Sequence, residues 1–541
     1  MSPHPTSADP DLDHDVIIVG AGFAGLYMLH KLRELGFSAR VLDAASGVGG
    51  TWFWNRYPGA RCDVQSFDYS YSFSEDLQQE WTWSERYATQ PEILRYIEHV
   101  AERFDLNRDI QLGSMVEAVT FDEVHTRWSV GLEGGETLVC RYVVMATGCL
   151  SVPKRPSFVG LDSFEGESYV SGEWPHHDVD LTGKRVGVIG TGSTGIQLTT
   201  TIAKDAGELL LFHRTPNFSL PAQNRPLDEH FTREMKAGYD QRRKEARTTT
   251  RGYPVPPILS GSSALEVGAE QRREVYEAVW SNGGPVFTSS FADLLVSQEA
   301  NDTAAGFVQS KIRAIVDDPA TADALTSFDH PLGTRRPCVD TGYYETFNRP
   351  NVSLVDLRDD PIIEITPAGI RTSERSFDLD VIVFALGFDA MTGALLRMDI
   401  TGEGGVKLRD RWSDGPSAYL GLTMAGFPNL FTITGPGSPS VLTNMVMAIE
   451  QHVEWLADLL EHAQREGVHR IEADDTAEKA WTQHVVDISD ATLFPRANSW
   501  WTGANIPGKP RVFMPYIGGL GTFQQVLTDV KDRGYTGLAL S

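Results

Sequence analysis

The stretch KRVGVIGTGSTGIQLTTTIAKDAGELLLFHRT occupies residues 184–215. A short apolar run stops at Gly190, Gly192 and Gly195 follow, a helix-like segment comes next, and a second apolar run ends beside Arg214. That order predicts strand, tight turn, helix and strand. The same order appears earlier in DVIIVGAGFAGLYMLHKLRELGFSARVLDA at 15–44, with Gly20, Gly22 and Gly25. Its helix carries Leu26, Met28, Leu29 and Leu32 at helical spacing and ends at Gly36. Two such units predict an α/β fold with two Rossmann-like dinucleotide-binding domains.

In G-x-G-x-x-G the first glycine permits the turn. The second lets backbone approach a pyrophosphate, and the third lets helix pack on strand. The helix N-terminus offers free N–H groups and a positive dipole to the phosphates. The two copies differ at the end of their second strand. Asp43 follows Gly25 by 18 residues, and Arg214 follows Gly195 by 19. A carboxylate there accepts from ribose hydroxyls and repels a 2′-phosphate, so the first unit suits FAD or NAD. A guanidinium clamps a 2′-phosphate, so the second suits NADPH. One dinucleotide is expected to stay as the flavin while the other delivers hydride to it.

The 541-residue chain exceeds what one core organises. Its net charge of −26 argues against a nucleic-acid partner, and an anionic ligand needs a local cationic site. No run of apolar residues is long enough to span a membrane, and the N-terminus has no signal-peptide core. The four cysteines, Cys62, Cys140, Cys149 and Cys338, form no C-x-x-C pair, so neither zinc nor a dithiol centre is indicated. Few cysteines suit a cytoplasmic location. With no dithiol to receive electrons from the flavin, O2 remains the common acceptor.

Along the chain the expected segments are a disordered tail at 1–13, an FAD-binding domain in two parts at 14–150 and 391–541, an NADP-binding domain in two parts at 151–224 and 335–390, and a helical insertion at 225–334. RYVVMATGCL at 141–150 and LDVIVFALGFDA at 379–390 read as further strands. In the insertion, Val275 and Tyr276 pair with Val279 and Trp280, and Val308 pairs with Ile312. REMKAGYDQRRKEAR at 233–247 reads as a solvated helix face of mixed charge. Met445, Ile449, Val453, Leu456 and Leu460 share one face of a late helix.

GGTWFWNRYPGARCD at 49–63 resembles the flavin-side signature of Baeyer–Villiger monooxygenases. FEGESYVSGEWP at 164–175 resembles the family fingerprint F-x-G-x-x-x-H-x-x-x-W-P, through Phe164, Gly166, Trp174 and Pro175. RRPCVDTGYYETFNRPNV at 335–352 resembles the segment with the family's active-site arginine, and NSWWTGANIPGKPRVF at 498–513 its late nicotinamide-side loop. The likeness runs from about residue 14 to 540 and is strongest to the branch acting on phenylacetone-like aryl ketones and steroids. The fingerprint histidine falls at 170, where this chain has Val170. Oxygenation is expected to persist there with altered coupling between domains. Leu386 also replaces a usual threonine.

The resemblance implies that NADPH reduces FAD and that O2 adds to give a flavin peroxide, which attacks a ketone to yield an ester or lactone. It assigns Arg336 to stabilise that anion and Asp63 to pair with it. Arginine suits the task because it stays charged. For FAD it implies Gly20, Gly22, Phe23, Gly25, Asp43, Thr51, Trp52, Phe53, Trp54, Asp63, Tyr69, Val116 and Met445. For NADP it implies Arg61, Cys62, Thr191, Gly192, Ser193, Thr194, Gly195, Gln197, Arg214, Thr215, Arg335 and Trp500, with Trp500 and Trp501 equally suited to a core. Cys149, Ser440, Val441 and Leu442 are expected around the substrate. The partners expected are a small ketone and O2, the assembly state a monomer or weak homo-oligomer. The alternatives are oxygenation of nitrogen or sulfur, which needs no arginine at the flavin, and a non-catalytic flavoprotein.

Overall fold

The computed structural model describes residues 11–254, 256 and 261–541. The expected tail therefore lies outside the described residues up to position 10. Asp13 is already tied to the first sheet, its N–H donating to Val139 O at 2.9 Å.

Two parallel-cored sheets carry the two glycine units. In the first, strand His14–Val19 lies between Ala39–Leu42 and Thr137–Met145, all parallel. Val16, Ile17 and Ile18 are wholly buried, as a strand covered on both faces requires. Thr137–Met145 continues antiparallel into Arg127–Leu132 and then Val116–Asp122, and late strands Asp399–Thr401 and Leu430–Thr432 join this sheet. The second sheet has five strands in the order Val352–Asp356, Glu208–His213, Arg185–Ile189, Val381–Phe384 and Glu167–Val170, all parallel. The stretch expected at 379–390 is thus a central strand of the second unit. Val170 ends its edge strand, half-buried against the apolar cluster of Ile189, Phe212 and Ile382.

The long helix Met445–Glu466 buries Val446, Ile449, Val453, Leu456 and Leu460 and packs against the first unit's helix Phe23–Glu34. Between residues 229 and 315 the chain carries helices Glu229–Ala237, Tyr239–Thr248, Ala269–Asn282 and Gln298–Ile315, with Tyr276, Val279, Val308 and Ile312 buried. The basic stretch at 233–247 departs from its expected role as a solvated face. Gly238 splits it into helices Glu229–Ala237 and Tyr239–Thr248, and three of its arginines turn inward. Arg242 forms a two-pronged pair with the buried carboxylate of Asp68 at 2.7 and 2.5 Å. Arg243 is buried and donates to Ser70 Oγ and Asp68 O, and Arg247 grips Glu454 with two bonds. These partners sit far away in sequence, so local charge pattern gives no sign of them.

Among the described residues no helix is long and apolar enough to cross a membrane, and no group of His, Cys, Asp and Glu could hold a metal ion. All four cysteines are free and buried.

Candidate active site

Both glycine turns open from the carboxyl ends of central parallel strands, where open α/β sheets bind ligands. They face one continuous cavity of about 1810 Å³ that spans the two units. The glycines do what the motif requires. A Cβ on Gly25 would stand 1.8 Å from Gly20 O, and one on Gly195 2.0 Å from Gly190 O. Those two positions are closed by the protein itself, and neither lines the cavity. Gly20 and Gly190 both have positive φ, at 112° and 121°. Gly192 is different, because nothing lies within 4 Å of where its Cβ would be. No contact within the protein demands glycine there. The open space at the start of helix Ser193–Ile202 has the form of a phosphate cradle.

Asp43 reaches back across the first turn. Its Oδ2 accepts from Ala21 N–H at 2.6 Å and its Oδ1 from Ala45 N–H at 2.8 Å. Each oxygen keeps a lone pair for a ribose hydroxyl facing the cavity. Burial pushes its carboxyl above the ordinary aspartate range, against those two backbone bonds. At the matching place in the second unit Arg214 is exposed on the cavity wall. Gly22, Phe23, Thr51, Trp52, Trp54, Tyr69, Val116 and Met445 line the first unit's side, with Trp52 Nε1 donating to Tyr69 Oη at 3.1 Å. Phe53 is a correction. It is buried and turned out of the cavity, with its ring against Gly47 and His176.

Arg336 sits where the units meet. Its Nε and Nη2 donate to the Asp63 carboxylate at 2.7 and 2.9 Å, and its Nη1 donates to Val441 O. Three of five donors are thereby fixed, and the side chain keeps 29% of its surface toward the cavity. Burial opposes charge on Asp63, but the Arg336 guanidinium outweighs it and holds the carboxyl below its usual range. Burial likewise opposes charge on Arg336, and Asp63 outweighs it, so the guanidinium is held more basic still.

On the second unit's side Thr191, Ser193, Thr194, Thr215 and Arg335 line the cavity. Thr191 Oγ1 donates to Thr215 O at 2.7 Å, which joins the turn to the end of the neighbouring strand. Arg61 and Cys62 line it too, with Arg61 near Glu85 at 3.4 Å. Gln197, expected to contact NADP, lines the cavity as well. Its Oε1 accepts from Tyr57 Oη at 2.9 Å and its Nε2 donates to Arg61 O at 3.1 Å, so both ends of its amide bind the first unit. Trp500 lines the cavity, whereas Trp501 is core, packed on Phe494 and Phe513.

Cys149 and Val441 line the expected substrate end, joined by Thr434 and Ile449, which sequence reasoning missed. Ser440 and Leu442 do not line the cavity. Ser440 stands behind Cys149, Oγ to Sγ 3.1 Å, in a left-handed backbone conformation (φ 42°), and the carbonyl of the next residue, Val441, accepts from Arg336. Lys154 and Asp329 also face the cavity and carried no sequence signal.

Residues 17–255 match the family model described as pyridine nucleotide-disulphide oxidoreductase. A Baeyer–Villiger monooxygenase of Pseudooceanicola batsensis is 43% identical over 97% of this chain and 96% of its own length. The chain belongs to the Baeyer–Villiger monooxygenase family. Oxidised steroid monooxygenase bound to NADP superposes with a TM-score of 0.94 at 50% identity, covering 97% of this chain and 99% of its own. A phenazine N-monooxygenase of Lysobacter antibioticus is 43% identical over 98% of each chain. FAD and NADPH are the cofactors of this enzyme family, and the donor sets at the two turns fit them. A carboxylate with spare lone pairs stands at the turn of one unit, and an open glycine turn beside a guanidinium stands in the other.

Proposed function

We propose that this Baeyer–Villiger monooxygenase converts a ketone to an ester or lactone. One atom of O2 enters beside the carbonyl, the other leaves as water, and NADPH with one proton supplies the electron pair. When bound, FAD takes hydride from NADPH and activates O2. Gly20, Gly22, Asp43, Thr51, Trp52 and Tyr69 would hold it, and Gly192, Thr191, Arg214, Thr215 and Arg335 would hold NADPH.

The observation that carries this reading is the triple anchoring of Arg336 by Asp63 and Val441 O. Its remaining N–H groups present a fixed positive charge that has no proton to give at working pH. An oxygen-centred anion beside it stays an anion, and so stays a nucleophile toward an electrophilic carbonyl carbon. Asp63 holds the guanidinium with two bonds, and its lowered carboxyl pKa keeps it from competing as an acid at working pH. Cys149, Val441, Thr434 and Ile449 offer a largely apolar wall for the ketone. Trp500 would cover the nicotinamide and exclude water.

A second reading, oxygenation at nitrogen, is supported by the phenazine N-monooxygenase relative. That chemistry needs a protonated oxidant and no neighbouring cation. Arg336→Ala, assayed with a ketone and with a sulfide, separates the two. A loss of about 10²–10³-fold on the ketone with sulfide oxidation retained supports the first reading. Unchanged ketone oxidation, measured as product mass gained by one oxygen, overturns it.

A further inference from the structure

The linker leaving strand Thr137–Met145 crosses to the second unit and is pinned there. Lys154 N–H donates to Gly387 O at 2.9 Å, and Asp389 N–H donates to Val152 O at 2.8 Å. This places the Lys154 side chain, half-buried, in the cavity wall near Arg214. Its Nζ donates to Asn505 O of the late loop at 2.8 Å. Among the described residues no carboxylate forms an ion pair with it. Asp389, the acidic group near it, is taken by Lys509 at 2.5 Å.

Arg335 faces the same space, with Nε on Asn498 O at 3.0 Å. Arg214 influences both neighbours. Burial first, and then Arg214, make Lys154 and Arg335 less basic than usual, with Asp389 and Asp329 opposing that shift. Asp329 faces the cavity here, shared between His330 Nδ1 at 2.8 Å and Arg335 at 3.3 Å. Three cations thus line this cavity, with Arg214 close enough to act on each of the other two, while Asp329 is divided and Asp389 is engaged by Lys509. Like charges held this close repel unless an anion comes between them. A phosphate monoester brings nearly two negative charges at neutral pH.

We propose that Lys154 is the third cation of the site that binds the 2′-phosphate of NADP(H). The proposal rests on the assignment of Arg214 and Arg335 to that phosphate. It adds a residue from the interdomain linker, which no glycine motif contains. The rest of NADP(H), with its pyrophosphate at the Gly190–Gly195 turn, does not need Lys154.

The test is calorimetric titration of the oxidised, FAD-loaded enzyme with adenosine 2′,5′-bisphosphate, NADP+ and NAD+, using Lys154→Gln, Lys154→Arg and Arg214→Gln. Lys154→Gln is expected to weaken adenosine 2′,5′-bisphosphate and NADP+ about tenfold, the worth of one charged hydrogen bond, and to change NAD+ by less than twofold. Lys154→Arg keeps most of the affinity. Equal weakening of NADP+ and NAD+ by Lys154→Gln would mean that the lysine only fastens the late loop, and would overturn the proposal. Unchanged binding of the bisphosphate overturns it too. If Arg214→Gln also leaves the bisphosphate unaffected, the parent assignment of the 2′-phosphate site falls; if Arg214→Gln weakens it and Lys154→Gln does not, only Lys154 is wrong.

Discussion

The two glycine units share one plan and differ in how much of the turn the protein covers. Over the first turn lies the Gly49–Gly50 loop, and a Cβ on Gly50 would come within 2.9 Å of Gly22 Cα. Over the second nothing lies near Gly192. The strand-end residue differs in the same sense. Asp43 is bonded twice to the turn it serves, whereas Arg214 lies exposed on the cavity wall with the cations Lys154 and Arg335 near it. A roofed turn with a satisfied acid suits a dinucleotide that remains. An open turn with more cations than ion-paired carboxylates suits one that arrives and leaves.

The largest effect expected is common to both units. Gly25→Ala and Gly195→Ala each drive a methyl into backbone at 2.0 Å or less. Each should cost more than about 3 kcal/mol, read as lost soluble expression or a strongly lowered thermal midpoint. Wild-type stability in either variant would mean that the turn geometry is wrong there. Next comes the pair that bridges the units. Asp63→Asn leaves Arg336 without its counter-charge and should cost about 3 kcal/mol at pH 7. Because the Asp63 pKa is depressed in the fold, that contribution is present above the unfolded pKa of about 4 and disappears as pH falls through the folded value. Chemical denaturation at pH 7 and at successively lower pH should therefore show the gap between variant and wild type narrowing as pH falls below about 4.

A sharper contrast follows from Gly192→Ala, which meets no protein atom. Its unfolding free energy should stay within about 1 kcal/mol of wild type while NADP+ affinity drops, since the methyl fills the space beside the helix N-terminus. Retained affinity would show that the open turn is not where the pyrophosphate lies. The smallest effect is expected at Val170→His, which sets a polar ring against an apolar cluster from a half-buried position. A loss of about 1 kcal/mol is expected, accompanied by a changed ratio of hydrogen peroxide released to NADPH consumed. An unchanged ratio would show that position 170 has no hold on coupling.

What the sequence made legible was local in character. The glycine spacing, the Asp43 and Arg214 offsets and the strand-helix order all lie within one unit of about thirty residues, where periodicity and turn chemistry act directly. Asp63 and Arg336 were legible only because their surroundings resemble family motifs, and the structure joins them across 273 positions. The inward arginines of 242–247, the double engagement of Gln197 and the place of Lys154 were not legible. Each depends on a partner from another unit, and a mixed-charge helix or a linker lysine looks the same in sequence whether it meets water or a buried acceptor. Phe53 shows the reverse error. It sits in a motif whose neighbours line the cavity, yet its short helix points it the other way.

The clasp between Tyr57, Gln197 and Arg61 has a mechanical corollary. Gly59 presses so close to helix Ser193–Ile202 that a methyl there would lie 2.1 Å from Thr201 Oγ1. Any swing of the five-stranded half must therefore turn about this spot or tear it open. Atoms near the pivot, with the Asp63–Arg336 pair next to Arg61 and Cys62 in the chain, would travel less during such a swing than parts of that half remote from it. The ion pair would be parked close to the axle.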